Sequence, residues 1–496
     1  MLRPLISFIL SLWVLHTNAQ QLVLPGDHPD PSVVKIDGTY WATATTSNWM
    51  PAYPLYRSKD LLNWKPAGNI FNTLPAWADY YFWAPEITYE SGKIYVYYAT
   101  HKKGGNLCIG IASADKPEGP YKDHGPIICQ EVGSIDAFPM RDEKGKLHLI
   151  WKEDANSVSK PTPIWIQELN EERTKLMGQK KELFRNDAPW EGNLVEGVSM
   201  MKHGEYYYAF YAAGACCGAA CNYNAGVARS KNLMGPWEKY DKNPIIINEG
   251  EWKCPGHGTP IEKDGRFYFI YHAYHKEESI YTGRQGLIKE FRFTPDGWIE
   301  FVSEAQKPVS IPKEMKDKFN GKNLSGEWQW SVFQKFNKQL KDGNLELSAL
   351  PATGGAFIGQ KTYSTNYEVL TEVNRNTSTA TAGLVLIGDE KNLVGAYLKG
   401  NAVQLIQVKD GKEKLLSTHL VGGNKKGRLH MQVQDGKSIR FFYSQTKGSP
   451  KALNSQPIDG SYLPPWDRAL RIGIAAKGAA NQKAVFADFE VKYSPN

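Results

Sequence analysis

The stretch DGRFYFIYHAY, residues 264–274, places a turn-forming glycine directly before a run of aromatic and aliphatic residues. Glycine adopts the positive φ that a tight turn needs, and Tyr, Phe and Ile favour a half-buried pleated strand. The same pattern occurs four more times, as DGTYWATAT at Gly38, SGKIYVYYAT at Gly92, KGKLHLIWK at Gly145 and HGEYYYAFYAA at Gly204. Five strand-rich units of roughly fifty to sixty residues predict an all-β fold, a five-bladed β-propeller, with a β-sandwich as the alternative.

Polar residues occupy the same place in four of the five repeats. Asp30, Glu196 and His257 each lie eight residues before the repeat glycine, and Asp136 lies nine residues before it. In the second repeat this place is taken by Ala84. Because equivalent positions of stacked repeats share one orientation, we expect these side chains to converge on the central axis and to meet in one pocket.

Three of these side chains are carboxylates, and each is flanked by apolar or conformationally special residues. Taken singly, Asp30, Asp136 and Glu196 each have an ordinary interpretation as a turn former, a hydrogen-bonded loop residue or a surface residue. Their shared phase in the repeat argues against that interpretation. Carboxylates buried together repel, which raises at least one pKa and supplies the acid and base that glycoside hydrolysis needs. We assign the raised pKa to Glu196.

Three further residues are candidate substrate contacts. Trp83 offers a flat face for a sugar ring, or it packs in the core. His257 anchors a water or a cation at the axis, or hydrogen-bonds inside the core. Arg284 steadies a carboxylate or a sugar hydroxyl, or is an exposed loop arginine. Glu86 and Glu191 lie near the motifs but not at the repeated position of the other polar residues. We expect them to contact the side chains of the site and not the substrate.

Residues 24–303 resemble glycoside hydrolase family 43. The resemblance rests on HPDPS around Asp30, WAP at Trp83, Asp136, the Glu-Gly pair at Glu196 and GHG around His257. It implies inversion, with Asp30 as general base on a water, Glu196 as general acid, and Asp136 tuning the pKa of that acid and orienting the substrate. It also implies that Trp83, His257 and Arg284 line the substrate pocket.

The resemblance implies an enzyme that releases a terminal pentose, α-L-arabinofuranose or β-D-xylose, from plant cell-wall polysaccharide or oligosaccharide. It implies no metal or organic cofactor in the chemistry and leaves room for a structural calcium near His257. The alternatives are an endo-arabinanase or exo-galactanase of the same fold, and a non-catalytic glycan-binding propeller. The sequence departs from the family pattern at Ala137-Phe138-Pro139 and at Cys216-Cys217-Gly218, which leaves specificity open.

The N-terminus reads as a cleaved signal peptide over residues 1–19. Arg3 precedes an apolar run from Leu5 to Leu15, and Thr17-Asn18-Ala19 forms a small-x-small exit. No later segment approaches twenty apolar residues, so we expect no membrane insertion. The interpretation predicts a secreted or periplasmic protein.

The domain prediction is a propeller over 20–312 and a second domain over 313–496. The second region lacks cysteine and alternates apolar and polar residues in short runs, which predicts a β-sandwich of jelly-roll type. It is similar to the concanavalin-like domain that many members of the family carry. Trp328, Trp330 and Trp466 either stack on glycan or pack in the core or at the interface between the domains, and we favour core or interface packing.

Charge and cysteine content exclude other classes of site. The net charge of +7 is spread along the chain without a Lys/Arg block, which argues against a nucleic acid partner. The cluster at 216, 217 and 221 lacks zinc-site spacing, so we predict no metal site there. In an oxidising compartment the six cysteines predict disulfides, whose pairing the sequence leaves open.

Overall fold

A computed structural model describes residues 20–302, 311–423, 425–445 and 448–494. The predicted signal peptide at 1–19 lies outside these residues. The described chain is almost entirely β, as predicted, and its helical segments are Ala155–Val158, Pro189–Glu191 and Ser279–Thr282. Within that part of the chain, no helix is both long enough and apolar enough to cross a bilayer.

The five repeats form five antiparallel sheets, blades I to V, within the described residues 20–302. The first strands of successive blades contact one another in a closed ring, blade V meeting blade I, so the predicted five-bladed β-propeller is confirmed. In order from the axis outward, blade I contains Ser32–Ile36, Thr39–Thr43, Ala52–Ser58 and Lys65–Phe71, and blade II contains Trp83–Glu90, Lys93–His101, Leu107–Ala114 and Lys122–Ile128. Blade III contains Ser134–Arg141, Leu147–Glu153, Pro163–Leu169 and Leu176–Arg185, and blade IV contains Val195–His203, Tyr206–Ala213, Asn224–Ser230 and Glu238–Lys239. Blade V contains Trp252–Lys263, Arg266–His275 and Arg284–Phe293.

The N-terminal strand closes the ring. Gln21–Leu24 pairs antiparallel with Arg284–Phe293 of blade V, with Gln21 opposite Ile288. Ile299–Phe301 pairs with the other end of the same strand. Because the first and last parts of the propeller share one sheet, the ring cannot open without breaking a strand pair.

The innermost strand of each blade begins with a backbone irregularity. Positive φ values occur at Asp30 (52°), Ala84 (41°), Asp136 (57°) and His257 (34°), and in blade IV at Gly197 (62°). Non-glycine residues adopt this region only when the surrounding structure holds them there. The equivalence predicted from the repeats therefore holds in four blades, whereas blade IV is shifted by one residue from Glu196 to Gly197. In blades II to V the register of the inner strand pair also shifts near these residues, and such bulges redirect a side chain, here toward the axis.

The second region folds into two packed sheets, which confirms the predicted β-sandwich. Its core includes Trp328, Leu384, Ile474 and Phe486, all fully buried. The predicted boundary at 312/313 stays a prediction, because the eight residues 303–310 just before it lie outside the described chain. One sheet contains Glu314–Asp317, Lys338–Lys341, Asn344–Ser348, Tyr367–Asn374, Lys426–Gln434, Ser438–Gln445, Lys451–Ala452, Ile458–Asp459 and Lys483–Tyr493, and the other contains Ala356–Lys361, Thr381–Asp389, Asn392–Lys399, Ala402–Lys409, Lys412–Leu420 and Arg471–Lys477.

A strand pair and a buried ion pair join the sandwich to the propeller. Trp330–Ser331 of the sandwich forms a two-stranded sheet with Trp49–Met50 of blade I. The Arg471 guanidinium lies 3.2 Å from the Asp27 carboxylate, and both side chains are buried. Removing one partner of such a pair leaves a buried unpaired charge, so this contact fixes how the two domains meet.

Candidate active site

The six side chains predicted from the sequence line a single cavity at the propeller axis. Its volume is about 360 Å³, within the range of small-molecule sites. Every blade contributes to its wall, and the sandwich adds Trp466 and Asp467. The predicted residues in the wall are Asp30, Trp83, Asp136, Glu196, His257 and Arg284.

The Asp30 carboxylate is held ionised by its neighbours. Thr45 Oγ1 donates a hydrogen bond to Oδ2 at 2.6 Å, and Arg284 Nη1 donates to Oδ1 at 3.2 Å. Burial alone would raise the pKa of Asp30, but the Arg284 guanidinium holds that pKa well below its usual range. A carboxylate in this state accepts protons and hydrogen bonds and does not donate them.

His272 fixes the backbone of Asp30. The Asp30 N–H donates to His272 Nδ1 at 3.0 Å, so that nitrogen carries no proton. Burial lowers the pKa of His272 to about 4, which keeps the imidazole neutral. The hydrogen bond thus holds Asp30 in its left-handed conformation without placing a second full charge beside it.

Glu196 lies against a buried lysine. Lys152 Nζ donates to Oε2 at 2.7 Å and Tyr223 Oη donates to Oε1 at 2.9 Å, while Lys152 also reaches Asp154 at 3.0 Å. Burial raises the pKa of Glu196, but the Lys152 ammonium and the two hydrogen bonds outweigh burial and lower it. The expectation that Glu196 carries the raised pKa is therefore wrong for the unliganded protein.

Asp136 is the carboxyl group with the raised pKa. Its Oδ2 accepts a hydrogen bond from the Gly197 N–H at 2.8 Å, directly beside Glu196. Burial raises the pKa of Asp136 and the Glu196 charge raises it further, against the opposing effects of His257 and Lys152. Of the three carboxyl groups at the axis, Asp136 is therefore the one that keeps its proton to the highest pH.

The His257 ring lies between Asp30 and the backbone that follows Glu196. Its Nδ1 is 3.5 Å from Asp30 Oδ1. On the other side, a Cβ added at Gly197 would come within 2.7 Å of the ring, which explains why glycine follows Glu196. Among the described residues no group of three His, Cys, Asp or Glu side chains is arranged to hold a metal ion.

Trp83 and Arg284 line the cavity, and contacts with neighbouring residues hold both side chains in place. Trp83 stacks on Tyr81 with ring centroids 4.3 Å apart, and its Nε1 donates to Ser47 at 3.0 Å. Arg284 is buried, and its Nη2 donates to the Asp467 carbonyl at 3.1 Å. Arg284 therefore connects the Asp30 carboxylate to the sandwich.

Glu86 and Glu191 do not lie in the wall of the cavity as the structure describes it. Glu191 is fully buried elsewhere in blade IV, where Tyr211 donates to it at 2.7 Å and Lys239 pairs with it at 2.8 Å. Burial raises the pKa of Glu86 to about 8. The expectation that Glu191 supports the site is wrong, because Tyr211 and Lys239, which bind it, do not line the cavity.

Lys152 belongs to the site although the phase of the repeats does not mark it, and Trp466 is more exposed than a packed tryptophan. Lys152 ends the apolar run KGKLHLIWK and pairs with Ile135, so a charge inside a buried strand was the available signal. Trp466 lies at the interface between the domains, as one of the expectations has it, but its surface is 55% exposed and it lines the cavity. Its ring meets Trp83 edge-on, with centroids 5.9 Å apart.

All six cysteines lie in the described part of the chain and form three disulfides. The pairs are Cys108–Cys129, Cys216–Cys217 and Cys221–Cys254. The prediction of disulfides in place of a metal site at 216, 217 and 221 is confirmed. Cys216 and Cys217 form part of the cavity wall.

Buried carboxyl groups whose pKa values are shifted in opposite directions, around a cavity of the size of a sugar, are typical of the glycosidases. Residues 19–299 match the family model described as glycosyl hydrolases family 43, and residues 316–492 match the beta xylosidase C-terminal concanavalin A-like domain. The chain belongs to glycosyl hydrolases family 43.

Individual relatives share a quarter to a third of the aligned residues. The chain is 29% identical to a xylan 1,3-beta-xylosidase of a Vibrio species over 274 residues, which covers 52% of this chain and 49% of that protein. It is 24% identical to a non-reducing end alpha-L-arabinofuranosidase of Bacteroides ovatus over 470 residues, covering 84% and 83%. A crystal structure of xylan beta-1,4-xylosidase from Bacillus halodurans superposes with a TM-score of 0.80 at 22% identity, covering 95% and 99%, and shows the shared fold.

Proposed function

We propose that this protein is a secreted, exo-acting glycosidase that releases a terminal pentose, α-L-arabinofuranose or β-D-xylose, from plant cell-wall polysaccharide or oligosaccharide with inversion. One observation carries the proposal: three buried carboxylates converge in a cavity walled by all five blades and by the sandwich. A pocket at the axis whose wall is extended on one side by Trp466 and Asp467 of the sandwich suits the end of a chain, whereas an endo-acting enzyme needs an open groove. The names of the relatives, xylosidases and arabinofuranosidases, support the choice of a pentose.

Asp30 is the general base in this proposal. Its carboxylate stays ionised because Arg284 and Thr45 hold the charge. An ionised carboxylate at the axis takes a proton from a water as that water attacks the anomeric carbon. Inversion in this proposal requires the Asp30 and Glu196 carboxyl groups to stand about 6.5–9.5 Å apart, which leaves space for the attacking water.

Glu196 is the general acid and must carry a proton when the leaving oxygen departs. In the free protein Asp136 has the higher pKa of the two, and its Oδ2 accepts a hydrogen bond from the Gly197 N–H beside Glu196. When a sugar displaces water from the cavity, the loss of solvation favours the neutral form of Glu196. Asp136 then carries the negative charge and orients the substrate.

The proposed chemistry needs no metal or organic cofactor, because the carboxylates perform both proton transfers. Treatment with EDTA is expected to leave kcat unchanged, and a loss restored by a divalent cation would contradict this. Secretion is supported by the N-terminal pattern and by the three disulfides, which persist in oxidising compartments. N-terminal sequencing of exported protein is expected to begin at Gln20.

A panel of aryl arabinofuranosides, xylosides and galactosides tests the substrate class. Release of arabinose or xylose supports the proposal, whereas release of galactose alone favours the exo-galactanase. Internal cleavage of arabinan favours the endo-arabinanase. Binding of glycan without turnover of any substrate favours the non-catalytic propeller. Proton NMR of the first-formed anomer tests inversion.

Lys152→Met is expected to move the alkaline limb of kcat/KM to higher pH by about one unit or more. The Lys152 ammonium favours the ionised form of Glu196, so its removal raises the pKa of that acid and keeps it protonated to higher pH. Initial rates across the pH range measure the limb on a pentose disaccharide, whose leaving sugar needs the proton of the acid.

The control for this variant is Lys146→Met. Lys146 is an exposed lysine of the same blade that pairs with Glu168. It is expected to leave the pH profile in place. An unshifted alkaline limb in Lys152→Met, in a protein that folds normally, would mean that Lys152 does not set the acid's pKa.

Trp466→Ala is expected to raise KM by about two- to tenfold with a small effect on kcat. Trp466 presents an aromatic surface to the cavity, and such contacts contribute about 0.5–1.5 kcal/mol. Phe333→Ala is the matched control, because Phe333 is equally exposed on the sandwich, at 54% against 55%. Equal KM values for the two variants would remove Trp466 from the substrate site.

A further inference from the structure

The loop over residues 214–222 is joined at both ends to the contacts of Glu196. Before the loop, Ala212 lies directly opposite Glu196 in the blade IV sheet. After the loop, Tyr223 donates its hydroxyl hydrogen to Glu196 at 2.9 Å. The part of the loop that lines the cavity therefore lies next to Glu196, the carboxyl group that protonates the leaving oxygen.

The loop is held in place from several directions. The Cys221–Cys254 disulfide ties it to the inner strand of blade V. The Gly218 N–H donates to Tyr274 Oη at 3.2 Å, and the Ala215 N–H donates to Asn222 Oδ1 at 2.6 Å. A loop with these restraints presents a fixed surface to a ligand and does not need to reorganise.

That surface is a disulfide between adjacent residues. Cys216 and Cys217 close a small ring that is half-buried and lines the cavity. Disulfide sulfurs are polarisable and carry no donor hydrogen, so the ring is an apolar wall in a cavity otherwise rich in charge. The C–H face of a sugar ring is the natural partner of such a wall.

We propose that the Cys216–Cys217 ring forms the site that receives the leaving-group sugar. This inference rests on the proposed function. The carboxylates lie deeper, each with less than a tenth of its surface exposed, and hold the sugar that is released. The ring lies nearer to solvent and beside the acid, which is the place of the sugar on the other side of the scissile bond. The chemical class of ligand is a glycosyl residue offering an apolar face.

The test compares two substrates that share the released pentose. One is its glycosyl fluoride, whose leaving group is a single atom, and the other is a disaccharide, whose leaving group is a sugar. In Cys216→Ala/Cys217→Ala, kcat/KM on the disaccharide is expected to fall about tenfold more than on the fluoride, mainly through KM. Cys108→Ala/Cys129→Ala removes a disulfide outside the cavity wall and is expected to leave the ratio of the two unchanged.

Equal losses on both substrates, or no loss on either, would overturn the assignment. If the double variant does not fold, wild-type protein is reduced in steps with a phosphine and the opened pair is identified by mass spectrometry. The ratio is expected to shift as the 216–217 pair opens and to return on reoxidation. An open pair with an unchanged ratio overturns the proposal. Wild-type protein that cleaves neither substrate overturns the proposed function first, and the leaving-group site with it.

Discussion

Glu196→Gln is expected to lower kcat on a pentose oligosaccharide by about 10³-fold, since a positioned general acid contributes about 10² to 10⁴. Glutamine keeps the shape of the side chain and its hydrogen bond from Tyr223 but has no proton to give to the leaving oxygen. A sugar alkoxide is a poor leaving group without that proton. A nitrophenolate departs largely without it, so the loss on an aryl pentoside is expected to be much smaller.

The measurement is kcat for wild type and variant on a series of substrates with leaving groups of increasing pKa. Glu191→Gln is the matched control, because Glu191 is a buried carboxylate of the same region whose partners are Tyr211 and Lys239. It is expected to lower the melting temperature and to leave kcat of the folded protein close to wild type. A loss in Glu196→Gln that is the same for every leaving group would show that Glu196 does not act as the acid.

Asp30→Asn is expected to lower kcat by about 10³-fold on all leaving groups alike, because the loss falls on activation of water and not on departure of the sugar. The amide cannot accept the proton, and the Arg284 guanidinium loses its anionic partner. A small anion such as azide needs no deprotonation, so it is expected to restore turnover and to give a glycosyl azide of inverted configuration.

The control for Asp30 is Asp37→Asn, in the turn of the same blade. Asp37 also has positive φ, at 47°, but is exposed to solvent. Its variant is expected to stay within about twofold of wild type, as surface substitutions generally do. An azide product of retained configuration, or a variant that keeps its activity, would remove Asp30 from the role of base.

Much of the fold follows from local pattern. The glycine-aromatic repeats fixed the number of blades, because each short segment specifies its own turn and strand. The phase of Asp30, Asp136 and His257 relative to those turns placed them at the axis without any knowledge of tertiary contacts. Glu196 was found in the same way, although its blade places the left-handed residue one position later, at Gly197.

What the repeats could not supply is the pairing of groups that are distant in the chain. Lys152 and Glu196 are 44 positions apart, and Arg284 and Asp30 are 254 apart. Electrostatic effects on a pKa depend on distances of a few ångströms between charged groups and on burial. The spacing of residues along the sequence gives neither of these. For this reason the order of the carboxyl pKa values was predicted wrongly.

The sequence by itself determined the propeller, the sandwich and the three carboxylates, since periodicity and turn chemistry act between near neighbours. The tertiary structure alone decided which carboxyl group has the raised pKa, which cysteines pair, and that Trp466 of the sandwich completes the wall of the cavity. Each of these depends on how separate segments approach in space, because charge interaction, disulfide formation and packing act over a few ångströms whatever the distance along the chain.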